Sequence, residues 1–188
     1  MGTPARPGRR RSLSFLPCAL VLAFLTGCSS GPGGSTSDGA AFSVADGYLA
    51  IGETVSPFDD VPAISNLDPA LRSAVQQAAQ DATARDVDMR ISSGWRSERL
   101  QRALLEQATT TRGNADEARR FVRSPETSSH VTGHAVDVLR TRADDWLIQH
   151  GSDYGLCQSY SNEMWHFELT VAPGGTCPAQ AADAEAGG

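Results

Sequence analysis

The chain contains no lysine; its sixteen positive residues are all arginine, a compositional bias without functional implication. It contains no internal repeat, which sets aside repeat architectures. It has no apolar run of the roughly 20 residues that a spanning helix needs, since the run Leu16–Leu25 falls well short. Its four cysteines include no Cys-x-x-Cys pair, the spacing typical of a structural zinc site. Positive charge is scarce beyond the N-terminus. Removal of residues 1–28 takes away four Arg and no acid, leaving 12 positive and 22 negative groups and a net charge of −10. A surface of that sign does not draw nucleic acid or acidic glycopolymers by bulk attraction, so no nucleic-acid partner is expected. Binding must come from a local site. What is present, 40% hydrophobic and 20% charged residues, fits a globular protein.

The N-terminus has the layout of a secretory signal: Arg9, Arg10 and Arg11, then the short apolar run. It closes on Leu25-Thr26-Gly27-Cys28, which resembles a bacterial lipobox. The resemblance implies that residues 1–28 are a lipoprotein signal peptide, with cleavage before Cys28 and lipidation of its thiol. The chain is then anchored in the membrane and faces the cell envelope from the extracellular side. The rival readings are a plain secretory signal with a chance cysteine, or an uncleaved anchor.

Residues 29–41 are small, polar and Gly-rich, and the stretch to residue 45 reads as a flexible tether. Residues 46–178 form the domain, and 179–188, made of Ala, Gly and acids apart from Gln180, read as a frayed tail. With Cys18 in the signal and Cys28 carrying lipid, Cys157 and Cys177 remain as a pair in an oxidising compartment. They are expected to form a disulfide, against the alternatives of free thiols or soft metal ligands.

The domain alternates helical and strand patterns. Asp68-Pro69 opens a helix through about Arg85, with Leu71, Val75, Ala78 and Ala79 on one face. Val87, Met89 and Ile91 alternate with polar residues, which predicts a strand over 86–92. Ser97 caps a second helix and Ala115–Val122 a shorter one, stopped by Pro125. His134–Leu139 reads as a strand, Ala143–His150 as a helix, and Trp165–Leu169 as a final strand with His166 and Glu168 on its polar face.

His130 lies in the loop Ser128-Ser129-His130-Val131-Thr132-Gly133, just before the strand carrying Asp137. An imidazole and a carboxylate on either side of a Gly turn can converge on one cation. His166 supplies a third ligand, and Glu163, at the entrance of its strand, can take a proton without ligating the metal. Two His and one carboxylate with an open fourth position is a catalytic rather than a structural zinc arrangement.

Ser128-x-His130-x-x-Gly133-x-Ala135-x-Asp137, then Glu163-x-Trp165-His166, preceded by Ser93-Gly94-Trp95-Arg96-Ser97 with Gln101, resembles the zinc D,D-carboxypeptidases of the vancomycin-resistance type. That family includes D-alanyl-D-alanine carboxypeptidases and dipeptidases and endolysins that cut L-alanyl-D-glutamate. The resemblance implies an α+β fold, a small antiparallel sheet with packed helices and one zinc ion at the sheet face. It implies a monomer acting on peptidoglycan stem peptides. His130, Asp137 and His166 would be the zinc ligands and Glu163 the general base. Arg96 would contact the substrate and stabilise the oxyanion, while Ser128 and Gln101 would hydrogen-bond the substrate terminus. Trp95 stands in place of the usual Tyr, Met164 where Pro is common, and Glu98 and Leu100 where aromatics are frequent; these departures bear on substrate preference.

The expected activity is therefore release of the terminal D-alanine. The alternatives are a wall-peptide endopeptidase, a D-Ala-D-Ala dipeptidase, or a binding module that keeps zinc for structure. Blander roles suit the other candidates. His134 has the opposite strand parity to Asp137 and reads as a surface or supporting residue, and His150 as a helix C-terminal residue. Glu168 rivals Glu163 or supports a ligand, and Trp146 is core. Arg119, Arg120 and Arg123 form a solvated helix face.

Overall fold

The computed structural model describes residues 42–139 and 142–187. The signal, Cys28 and most of the tether lie outside them. Helices α1 (Pro62–Ser65), α2 (Pro69–Thr83), α3 (Glu98–Arg112), α4 (Ala115–Arg119) and α5 (Arg142–His150) surround four strands. The strands are β1 (Ile91–Ser93), β2 (Ala135–Val138), β3 (Leu156–Gln158) and β4 (His166–Leu169). They form one antiparallel sheet in the order β1-β2-β4-β3. This is the α+β architecture expected. Among the described residues no helix is long and apolar enough to cross a membrane.

Sequence dictates α2 directly. Asp68 Oδ1 accepts hydrogen bonds from the backbone of Ala70 (2.8 Å) and Leu71 (3.1 Å), and Pro69 occupies the first turn, where its missing N–H costs nothing. Its inner face, Leu71, Ala74, Val75, Ala78, Ala79 and Ala82, packs with Ile91, Val136, Val138 and Phe167. The four alanines allow close approach of helix and sheet. Trp146 and Leu147 of α5 close the same core.

Some predicted elements differ. Val87 and Met89 are buried like Ile91, but only Ile91–Ser93 finds ladder partners, so the strand is shorter than its alternation. The short helix ends at Arg119 rather than Val122: Phe121 N tightens to the Ala118 carbonyl three residues back at 3.0 Å, and one further bond, Val122 N to the same carbonyl at 2.9 Å, closes the turn. β3 carries no alternating signal in three residues. Both ends of the domain extend beyond the expected limits. Residues 42–46 pack down, with the Arg99 guanidinium 4.5 Å above the Phe42 ring and Asp46 accepting from Ser97 Oγ at 3.0 Å. At the other end the acid-rich tail, instead of fraying, pairs: Asp183 accepts from Arg120 Nε at 2.8 Å and Ala184 is buried. Composition misses this because both contacts are non-local.

Cys157 and Cys177 form the expected disulfide, across 20 residues that include Glu163 and His166. Closing such a loop stabilises by about 3 kcal/mol through restriction of the unfolded chain. Reduction is therefore expected to lower the melting temperature by several degrees and to weaken metal retention. Scanning calorimetry with and without reductant checks this, and identical curves contradict it.

Candidate active site

The sheet sets the site. In the β2–β4 register Val136 faces Phe167 and Asp137 faces His166. Because side chains alternate along a strand, the first pair enters the core and the second points to the opposite face. Asp137 and His166 thus stand side by side although 29 residues separate them.

His130 arrives from the loop before β2, which two glycines shape. Gly133 has φ +77°, and a Cβ there would lie 2.6 Å from the Asn66 carbonyl oxygen. The loop can therefore press on the turn before α2, where Asp68 N donates to the Gly133 carbonyl at 2.9 Å. A Cβ on Gly94 would lie 2.0 Å from the Ala63 carbonyl oxygen. The Gly94 carbonyl meets His130 Nδ1 at 2.8 Å. A carbonyl only accepts, so Nδ1 carries the hydrogen and Nε2 is free to ligate.

His130 Nε2 lies 3.3 Å and His166 Nδ1 3.1 Å from Asp137 Oδ1. The three ligand atoms lie within 4.8 Å of one another, so this buried group can hold a metal ion. Ligand atoms about 2.0–2.2 Å from a tetrahedral zinc stand roughly 3.3–3.6 Å apart, close to both distances. Two imidazoles and a carboxylate are also donors that suit zinc.

The surrounding charges are organised on this triad. Asp137 Oδ2 accepts from Arg96 Nη2 at 2.8 Å. Burial opposes ionisation of Asp137, but His130, His166 and Arg96 together hold its carboxyl well below the usual range. Burial, then the charge of Arg96, lowers the His130 pKa. His166 goes the other way. Its Nε2 meets Glu168 Oε1 at 2.9 Å while Nδ1 meets Asp137. Burial pulls its pKa down, but two carboxylate partners outweigh that and push it up to about 9. Glu168 is itself held by Ser129 Oγ at 2.7 Å, so it orients the His166 ring.

Glu163 is buried, and the turn that returns His166 N to its carbonyl (3.1 Å) keeps it beside the triad. Burial, the largest influence, pushes its pKa up to about 7. Its Oε1 has no hydrogen-bond partner among the described residues. A buried, unpartnered carboxylate oxygen lining the same cleft as three atoms that could ligate a metal is suited to handling a proton.

The remaining predicted residues also meet here. Ser128 is buried and lines the cleft. Arg96 donates Nε to Ser93 Oγ (2.7 Å), Nη1 to Gln101 Oε1 (3.1 Å) and Nη2 to Asp137, leaving two of its five N–H groups. Gln101 is 1% exposed, and its Nε2 donates to the Arg123 carbonyl at 2.8 Å. Both ends of its amide are thus taken by the protein, so its position makes it a brace for Arg96. His134 is exposed and meets Thr132 at 3.0 Å.

The cleft encloses about 370 Å³. Of the departures from the family pattern, Glu98 is exposed and Trp95 packs on the core, while Leu100 lines an adjoining cavity that shares Arg96 and Asp137. The walls of the cleft are Leu104, Ala108 and Thr111 of α3, then Phe121, Val122 and Arg123, with Tyr160. Tyr160 and Arg123 escaped sequence reasoning. Tyr160 lies in an irregular segment with no periodic signal, and Arg123 reads as part of a charged helix face with Arg119 and Arg120 although the helix ends at Arg119.

The sequence model of VanY, D-alanyl-D-alanine carboxypeptidase, matches residues 64–171. No curated protein matches the chain. Among solved structures, a mutant of the vancomycin-resistance D,D-pentapeptidase VanY from a VanB-type cassette, in complex with Zn(II), is similar at 22% identity. The match covers 54% of this chain and 71% of that one, with a TM-score of 0.50. VanYB in complex with D-alanine-D-alanine is similar at 22% identity over 56% and 72%, with a TM-score of 0.51. The L,D-carboxypeptidase DacB from Streptococcus pneumoniae matches at 23% identity over 57% and 67%, with a TM-score of 0.46. At these identities the likeness is one of fold.

Proposed function

Since the chain belongs to the VanY D-alanyl-D-alanine carboxypeptidase family, we propose that it is a zinc enzyme that removes the terminal D-alanine from peptidoglycan stem peptides. His130 Nε2, Asp137 and His166 Nδ1 hold the single ion. When bound, the ion supplies Lewis acidity toward the scissile carbonyl and the attacking water. The chain's own groups do the rest. Glu163 accepts the proton of the water and returns it to the leaving amine. Arg96, through its two remaining N–H groups, faces the oxyanion, and Ser128 bonds the substrate. Glu168 keeps the His166 ring in place by holding Nε2–H. Residues 1–28 direct secretion, and Cys28 tethers a monomeric domain to the outer face of the membrane.

The observation that carries this reading is the unpartnered, buried Oε1 of Glu163 beside the His130–Asp137–His166 group. A binding module that kept zinc for structure would not need that carboxylate. The purified protein with zinc is incubated with a pentapeptide ending in D-Ala-D-Ala and with the tetrapeptide that ends one residue earlier. Free D-alanine from the pentapeptide alone is expected. Release from the tetrapeptide points to L,D-carboxypeptidase activity. Intact dipeptide or internal fragments point to the other peptidases, and no product contradicts catalysis.

A further inference from the structure

The arginines near the cleft are not equivalent. Arg120 is committed to Asp183 (2.8 Å) and Glu117 (3.0 Å), and Arg119 to Asp116 and, at 3.4 Å, Glu185. Arg96 is committed to Asp137, and Arg112 stacks 3.6 Å over the Phe121 ring with Glu117 at 3.9 Å. Arg123 differs. Among the described residues it has no carboxylate within 4.0 Å, and its one side-chain hydrogen bond is from Nη1 to the Tyr160 hydroxyl at 3.4 Å. Of the three arginines that line the cleft, Arg96 and Arg112 face carboxylates and Arg123 is the one that does not.

Its position is fixed with respect to the triad. The carbonyl of Arg123 is held by Gln101, the residue that also holds Arg96. Tyr160 is 4% exposed, and its ring lies 5.0 Å from that of His166. One phenol ring therefore separates the Arg123 guanidinium from a metal ligand. Arg123 lines the same cleft as Glu163 and His130.

We propose that Arg123, braced by Tyr160, is a substrate-binding residue that takes a carboxylate of the peptide through its planar fork of donors. The inference rests on the peptidase reading and names the charge the cleft selects. In a stem peptide with lysine at the third position two groups carry that chemistry: the free C-terminal carboxylate next to the scissile bond, and the carboxylate of the D-glutamate further up.

Three pentapeptides separate them: the full acid, its C-terminal amide, and the acid with the D-glutamate carboxyl converted to an amide. Hydrolysis by the zinc-loaded wild type, Arg123→Gln and Arg123→Lys is compared. Binding of the same peptides is measured by calorimetry in a Glu163→Gln background, which does not depend on turnover. Arg123→Gln is expected to raise KM for the full acid about 10- to 100-fold, the loss typical of a charge-assisted hydrogen bond, with kcat within about threefold and zinc content unchanged. Arg123→Lys should recover part of the affinity. The penalty should vanish for whichever peptide lacks the recognised carboxylate, which identifies the source. Equal affinity of wild type and Arg123→Gln for all three peptides overturns the proposal, as does an equal loss on all three. If the wild type hydrolyses none of them, the peptidase reading falls, and the calorimetric comparison still decides whether Arg123 reads a carboxylate.

Discussion

Replacing Glu163 with glutamine is expected to leave zinc bound and to lower kcat by about 10²- to 10⁴-fold, the range a positioned acid–base group supplies. Glutamine has nearly the same shape and size, so the turn from Tyr160 to His166 has no reason to move. The three ligand atoms belong to other residues, so metal content should not change. What is lost is the buried carboxylate whose pKa lies up at about 7. Burial favours its neutral form, and a cation bound beside it would favour the ionised form. A group balanced in this way can both take and return a proton near neutrality. Steady-state kinetics with elemental analysis on the same sample checks the prediction. Unchanged turnover would remove Glu163 from the mechanism; lost zinc would make it a ligand.

Zinc affinity is expected to rise about tenfold per pH unit over the range below pH 9, because uptake must displace a proton from His166. In the metal-free protein both ring nitrogens of His166 face carboxylates, Asp137 and Glu168, which only accept. The ring is therefore an imidazolium, in keeping with a pKa pushed up to about 9 against an ordinary 6.5. The sign for stability follows. This group stabilises the metal-free fold fully below pH 6.5, and the contribution is lost as pH rises through about 9. Zinc needs Nδ1 without its proton while Nε2–H remains on Glu168. Between pH 6 and 8 the affinity should thus rise roughly 100-fold. Calorimetric titration in buffers of different ionisation enthalpy checks this, with at least one proton released per zinc at pH 7, one from His166 and a fraction from Glu163. Affinity independent of pH over this interval would contradict the assignment of His166 as a ligand.

Local chemistry made much of the fold legible. The Asp68-Pro69 cap, the apolar stripe of α2 and the Ser97 cap follow from residue type and spacing alone. So does the parity of β4, which separates His166 from Phe167. The register that sets Asp137 opposite His166 does not, because strand pairing across 29 residues depends on what the two core faces pack against. For the site, the family motifs single out His130, Asp137 and His166 as candidate ligands, Glu163 as the candidate base, and Arg96. They do not show that three donors of Arg96 are spent on Ser93, Gln101 and Asp137. Arg123 was hidden for a local reason: continuing the helix of Ala115 to Val122 keeps it on a solvated face, whereas ending it at Arg119 turns it into the cleft. The tail was hidden because Ala, Gly and acids carry no pattern, and its anchor, Arg120, lies 63 residues away from Asp183.

The most direct test of the central claim is a zinc titration of the metal-free protein, wild type beside His130→Ala, Asp137→Ala and His166→Ala, with D-alanine release from the pentapeptide read at each addition. The account predicts that the wild type takes up one ion per chain and that activity climbs in step and levels off at one equivalent. Each variant should lose both tight uptake and product. Tight binding that survives in all three variants, or D-alanine release that does not depend on zinc, would contradict it.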